Sequence, residues 1–233
     1  MTDDTNKSII IVGAGAGLSA SLARLFSTRG FSVILAARDI DKLEPLKTEL
    51  NASAIACDVS SAADVEALFA QSDTLVGNPD LVVYNPSYRT RGDLVDLDPE
   101  LVMRSLQVTA FGGFLVAQQA ATRMLQKKSG AIFFTGASAS VKGYAKSAPF
   151  AMGKFALRGL AQSMARELQP SNIHIAHFVI DGGIRSAQSA ASPDTIDSQL
   201  DPDAIAQSYL DVYLQSRSAW SLEVELRPWT EKF

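Results

Sequence analysis

The feature that most limits the possible folds lies at the start of the chain. Residues 8–13, Ser-Ile-Ile-Ile-Val-Gly, form one continuous apolar, β-branched run. Such a run reads as a strand buried on both faces, the kind that parallel sheets contain. It passes directly into Gly13, Ala14, Gly15, Ala16, Gly17, Leu18 and Ser19. Residues 18–29 follow, with Leu22, Leu25 and Phe26 at helical spacing before Gly30. Small residues at a strand-to-helix turn let the backbone bend tightly, approach a pyrophosphate and aim the helix N-terminus at it. A glycine cluster alone is weak evidence, but one placed after the first buried strand and opening the first helix has the context a dinucleotide site requires.

Strand-like and helical patterns alternate along the rest of the chain. Strands are expected at residues 31–37, 54–57, 81–84, 131–134, 173–180 and 222–226, the last an edge or final strand. Helices are expected from Asp39 or Ile40 to Leu50, around 62–69, at 98–127, at 148–168 and from Asp201 to about Gln215. Asp98-Pro99 and Asp201-Pro202 each pair an N-cap with proline at the first helical position. The pattern implies an α/β, Rossmann-type, doubly wound parallel sheet of about seven strands with helices on both faces. It also implies a single domain over residues 1–233 with ligands at the strands' carboxyl ends. Residues 185–201 are rich in Ser, Ala, Asp and Gln without periodicity and are expected to be a substrate lid.

Composition narrows the function classes. The net charge is −4 with scattered basic residues, which argues against a nucleic-acid partner. The single cysteine, Cys57, cannot form an internal disulfide, as expected of a reducing compartment. No basic segment leads into an apolar one at Met1–Lys7, and the apolar runs are too short for a bilayer, so a cytoplasmic protein with no membrane partner is expected.

The second strand ends Leu35-Ala36-Ala37-Arg38. An NAD-preferring site places an acid here to bind the adenosine ribose hydroxyls; alanine removes it, and Arg38 can pair with a 2′-phosphate. The expected cofactor is NADP(H).

These residues together resemble the short-chain dehydrogenase/reductase family over nearly the whole chain, from about Ser8 to Leu226. Gly13 and Gly17 match two glycines of its Gly-x-x-x-Gly-x-Gly loop, and Ser19 stands at the third. Asp58-Val59 matches the Asp-Val after the third strand. Asn85 lies in Tyr84-Asn85-Pro86-Ser87, at the place of Asn-Asn-Ala-Gly, and Gly182, Ile184 and Ser186 fall in the counterpart of Pro-Gly-x-Val-x-Thr. The resemblance implies that Gly13, Gly15, Ala16, Gly17, Leu18, Arg38, Asp58, Val59, Asn85, Lys154, Gly182, Ile184 and Ser186 bind cofactor. Asp58 would contact the adenine and residues 181–186 the nicotinamide carboxamide.

The family's Tyr-x-x-x-Lys reads Phe150-Ala151-Met152-Gly153-Lys154 here. The lysine is retained, but phenylalanine neither donates nor accepts a proton. Ala137 stands at the family's serine, with Ser138 one residue later, expected to point the other way in extended backbone. Gln107 is read at its asparagine. This is an atypical active site. Lys154, Tyr144 and Ser138 are the candidate catalytic residues; Ser140 and Tyr88 lie on the same edge. His174 and His177, three apart on one strand, face opposite sides and form no metal pair, and no metal site is expected.

Three functions stay open: an NADP(H)-dependent oxidoreductase acting on a small-molecule carbonyl or alcohol with a non-standard proton donor, a redox-silent NADP(H)-binding protein, and a non-redox enzyme reusing the pocket. The resemblance further implies a homodimer or homotetramer through the long helices.

Overall fold

The computed structural model describes residues 7–186 and 197–231. Seven strands form one parallel sheet: β1 (Ser8–Val12), β2 (Ser32–Ala37), β3 (Ser53–Ala56), β4 (Leu81–Tyr84), β5 (Gly130–Thr135), β6 (Ile173–Ile180) and β7 (Glu223–Leu226). Their order is β3-β2-β1-β4-β5-β6-β7, and every pairing is parallel. The chain reverses direction across the sheet between β1 and β4, the point where open α/β sheets bind ligands.

Helices cover both faces. On one lie α1 (Leu18–Thr28), α2 (Glu44–Leu50) and α7 (Pro202–Tyr213), packed on Ile9, Ile11, Phe133 and Phe178. On the other lie α3 (Ala62–Val76), α5 (Gly112–Lys127) and α6 (Ala148–Leu168), packed on Ile10, Val12, Tyr84 and Phe134. Successive residues of β1 therefore feed opposite cores, which is why that run carries no polar alternation. Each such buried side chain contributes roughly 1.5–3 kcal/mol.

The expected Asp–Pro helix starts are both present. Asp98 accepts a hydrogen bond from the Glu100 N–H at 2.8 Å, and Asp201 one from the Asp203 N–H at 2.9 Å. Several boundaries differ from the sequence reading: α2 begins only at Glu44, after a 3₁₀ turn at Asp41–Leu43, α3 extends to Val76, α7 ends at Tyr213 rather than Gln215, and some strand ends shift by a residue. The helix expected at 98–127 is not uniform either. α4 (Pro99–Leu106) passes through a wide π-turn, Gln107–Phe111, into α5. Tyr84 donates its hydroxyl to the Val108 carbonyl inside this turn. Gly112 and Gly113 permit the approach, since a Cβ at Gly112 would lie 2.6 Å from the Tyr84 hydroxyl and one at Gly113 2.5 Å from Leu157.

Candidate active site

Two adjoining clefts open at the carboxyl end of the sheet, sharing Asn85 and Ser87 on their walls. The first, about 530 Å³, is bounded by the glycine turn, Ala37, Arg38, Asp58, Val59 and Val108. Gly13 has φ +78°, and a Cβ there would stand 2.8 Å from the Pro86 nitrogen, so both conformation and contact demand glycine. Around Gly15 and Gly17 a Cβ would meet nothing within 4 Å. That open space lies before the first turn of α1, whose N-cap Gly17 supplies no side-chain hydrogen bond, leaving backbone N–H groups for a ligand.

Ser19, in place of the third glycine of the expected loop, is almost fully buried. Its hydroxyl donates to the Gly13 carbonyl at 3.0 Å and accepts from the Asn85 side-chain amide at 2.8 Å. The substitution thus ties the loop to the end of β4 instead of loosening it.

Arg38 stands exposed at the end of β2, on the wall of this cleft, and no ion pair or hydrogen bond from the described residues engages its guanidinium. The Asp58 carboxylate accepts from the Ser60 N–H at 3.0 Å and the Ser60 hydroxyl at 2.7 Å. Those two bonds hold it below the ordinary carboxylate range, with Arg38 adding a smaller push in the same direction. A glycine turn facing open space and an uncommitted guanidinium fit a phosphorylated dinucleotide.

The second cleft, about 790 Å³, is lined by Ala137, Ser138, Tyr144, Phe150, Lys154, Gly182 and Ile184, with Arg89 and Arg91 on the facing loop. Lys154 is only 3% exposed. Its ammonium donates to the Thr135 carbonyl at 2.6 Å, and the Thr135 hydroxyl bonds that of Tyr209 at 2.8 Å. Burial pushes the Lys154 pKa down to about 7, and the Arg89 charge pushes the same way. Phe150 is buried one helical turn before Lys154, and the Arg89 guanidinium carbon lies 4.2 Å from its ring centroid.

Most residues singled out in the sequence converge here, with specific exceptions. Gly13, Gly15, Ala16, Arg38, Asp58, Val59 and Asn85 border the first cleft; Ser138, Tyr144, Lys154, Gly182 and Ile184 border the second. Leu18 turns its side chain into the core and borders neither, so it can offer a ligand only its backbone. Gln107, at the start of the π-turn, is exposed and lines neither cleft. Thr109, two residues on, is the buried one, its hydroxyl oxygen accepting from the Tyr88 N–H at 3.2 Å. Two residues along a helical turn rotate a side chain by about half a turn, which reverses inside and outside. Ser138 does not continue an extended strand. It opens a short 3₁₀ turn, Ser138–Ser140, and lines the cleft beside Ala137, contrary to the alternation argument. Ser140 accepts from the Ala137 N–H at 3.1 Å.

Ser186 is exposed outside both clefts. Of the expected lid, residues 187–196 lie outside the described residues. Its two ends are joined by the Ile184–Leu200 bridge and the Arg185–Asp201 ion pair. His174 stacks on Trp220 and His177 approaches Glu223 at 3.4 Å, and neither lines the clefts. Among the described residues no group of three or more His, Cys, Asp or Glu side chains is placed to hold a metal ion, and no helix is long and apolar enough to cross a membrane.

Sequence reasoning missed Arg89, Arg91, Ser105 and Thr109. A loop arginine carries no periodic signal. The one usable hint was two arginines following a strand end already identified as ligand-facing.

A parallel sheet with its direction change at a glycine turn, and an open lysine-bearing cleft beside it, define a Rossmann-type α/β protein. The short chain dehydrogenase model matches residues 7–195, and the chain belongs to that family. An uncharacterized oxidoreductase of Staphylococcus aureus (strain N315) is 24% identical, covering 98% of this chain and 100% of that protein. The crystal structure of a short-chain dehydrogenase from Rhodopseudomonas palustris has a TM-score of 0.84 and 31% identity, covering 96% of this chain and 99% of that one. A metagenomic short-chain oxidoreductase solved in complex with NADP has a TM-score of 0.83 and 25% identity, covering 95% and 97%.

Proposed function

We propose that this oxidoreductase-family chain is an NADP(H)-dependent enzyme interconverting a small carbonyl compound and its alcohol, with a proton donor other than the family tyrosine. The single observation that carries the cofactor choice is Arg38, exposed on the cleft wall at the end of β2 and without an ion pair among the described residues, where Ala37 contributes no carboxylate and the neighbouring Asp39 is engaged by Lys42 at 2.7 Å. The NADP-bound metagenomic relative supports the same choice.

On this reading, backbone groups of the glycine turn take the pyrophosphate and Arg38 the 2′-phosphate, with Asp58 at the adenine end. Lys154, held by the Thr135 carbonyl, faces the nicotinamide ribose, while Gly182 and Ile184 border the carboxamide. When bound, the cofactor supplies the hydride for the carbonyl carbon; one proton must then reach the carbonyl oxygen to complete the alcohol.

Tyr144 and Ser138 are the hydroxyl-bearing candidates on the substrate side of the cleft. The Lys142 ammonium lies 5.7 Å from the Tyr144 ring centroid, and a side-chain hydrogen bond with Tyr144 is the main cause that raises the Lys142 pKa. The exposed Phe111, Phe114, Met152 and Phe155 of the long helices are the surface on which two copies of the chain would pair.

NADPH oxidation followed against a panel of aldehydes and ketones tests the reading. Turnover is expected, reduced by roughly 10²–10⁴ in whichever of Tyr144→Phe or Ser138→Ala removes the donor. Protein that binds NADPH yet turns over no carbonyl above background would refute it.

A further inference from the structure

The second cleft holds more positive charge than cofactor binding uses. Arg89 follows Tyr88 on the loop after β4, and that loop is fixed from below. The Tyr88 N–H donates to Thr109, and the Ser105 hydroxyl donates to the Tyr88 carbonyl at 2.8 Å; both partners are fully buried. Further along, the Gly92 N–H donates to the Lys146 carbonyl at 3.1 Å, closing the loop against the opposite wall.

Arg89 is thereby laid over Phe150, guanidinium to ring, at 4.2 Å. Stacking occupies the face of the guanidinium and leaves its in-plane N–H donors unused. Neither Arg89 nor Arg91 has a side-chain hydrogen bond or ion pair with any described residue. The cleft's carboxylates do not supply the missing partner. Asp181 is already held by Arg227 at 3.1 Å and Lys142 at 3.5 Å, and Glu231 is exposed. Burial, with the Arg91 charge added, lowers the Arg89 pKa, and burial, with the Arg89 charge added, lowers that of Lys154, so an anion beside Arg89 would offset both repulsions.

We propose that the cleft takes an anionic carbonyl compound, a carboxylate, and that Arg89, stacked on Phe150, receives the carboxylate group. The proposal rests on the reductase reading for the carbonyl, but the anion site stands on this cleft's own residues. Phe150 then has a use: an unsubstituted ring is the platform that orients the guanidinium toward the substrate. A bidentate, charge-assisted contact of this kind favours a carboxylate over its uncharged amide by roughly 10- to 100-fold.

The test is calorimetric titration of the full-length protein with phenylglyoxylate against its amide, and pyruvate against pyruvamide. Each is measured with saturating NADP⁺, which cannot donate hydride, and again without cofactor. The unmodified protein is expected to bind the carboxylates at least tenfold more tightly than the amides. Arg89→Met should abolish that difference and leave NADP⁺ affinity unchanged, Arg89→Lys should keep part of it, and Arg91→Met should weaken it only slightly. Equal binding of acid and amide, no binding of either, or a preference that survives Arg89→Met or falls equally in Arg91→Met would overturn the assignment. A failure of NADP⁺ to bind would count against the reductase reading instead, and the titrations without cofactor would still decide the anion site.

Discussion

Replacing Lys154 by methionine should make the protein more stable near neutral pH and change how its stability depends on pH. Lys154 is 3% exposed, and its only hydrogen-bond acceptor among the described residues is the Thr135 carbonyl. An ammonium has three donors, so two go unmet in a low-dielectric site. The consequence is a folded-state pKa of about 7, against an ordinary lysine value of 10.5 in the unfolded chain. Between those values the unfolded state binds the extra proton, so stability rises with pH through this window, by up to about 1.4 kcal/mol per pH unit from this group. Below pH 7 both states are protonated and the full cost, several kcal/mol, is constant; above pH 10.5 it vanishes. Methionine matches the length without the charge. Urea unfolding at pH 7, 8 and 9 should show Lys154→Met more stable than the unmodified protein at pH 7, with the gap narrowing toward pH 9. Parallel pH profiles for the two proteins, or a less stable variant at pH 7, would refute the reasoning.

Two further outcomes follow from contacts at the clefts. Gly13→Ala combines a φ of +78° with a 2.8 Å approach to Pro86, and thermal unfolding should show a loss of about 1–3 kcal/mol; an unchanged melting temperature would contradict the tight-turn argument. The double change Ala137→Ser with Phe150→Tyr should raise NADPH-dependent carbonyl reduction at least tenfold by supplying a phenol beside Lys154, and steady-state rates with one aldehyde check it.

How much of this was legible in the sequence depended on whether the determining contacts were local. The β1 run and the glycine turn declare themselves because their neighbours in the chain are also their neighbours in the structure. The same is true of the Asp98 and Asp201 caps, which bond backbone only two residues away. The π-turn was not legible. It depends on a hydroxyl from Tyr84, 24 residues before the carbonyl it meets, and on the close approach that Gly112 and Gly113 allow. Without it, nothing in the sequence signalled that Gln107 would face outward and Thr109 inward.

The Ser138 error had a similar source, because the alternation rule holds only while the chain remains extended, and a 3₁₀ turn begins at that residue. Arg89 was invisible for a different reason. Its position is set by Ser105 and Thr109 acting on the backbone of Tyr88, and no spacing in the chain encodes that.

The claim on which the functional account stands is that Arg38 and the glycine turn accept a 2′-phosphorylated dinucleotide. Calorimetric titration of the purified protein with NADPH and with NADH, repeated on Arg38→Ala, addresses it directly. NADPH is expected to bind at least tenfold more tightly than NADH, and the alanine variant to lose this advantage while its NADH affinity stays put. Equal affinities, a preference for NADH, or no binding of either nucleotide would contradict it.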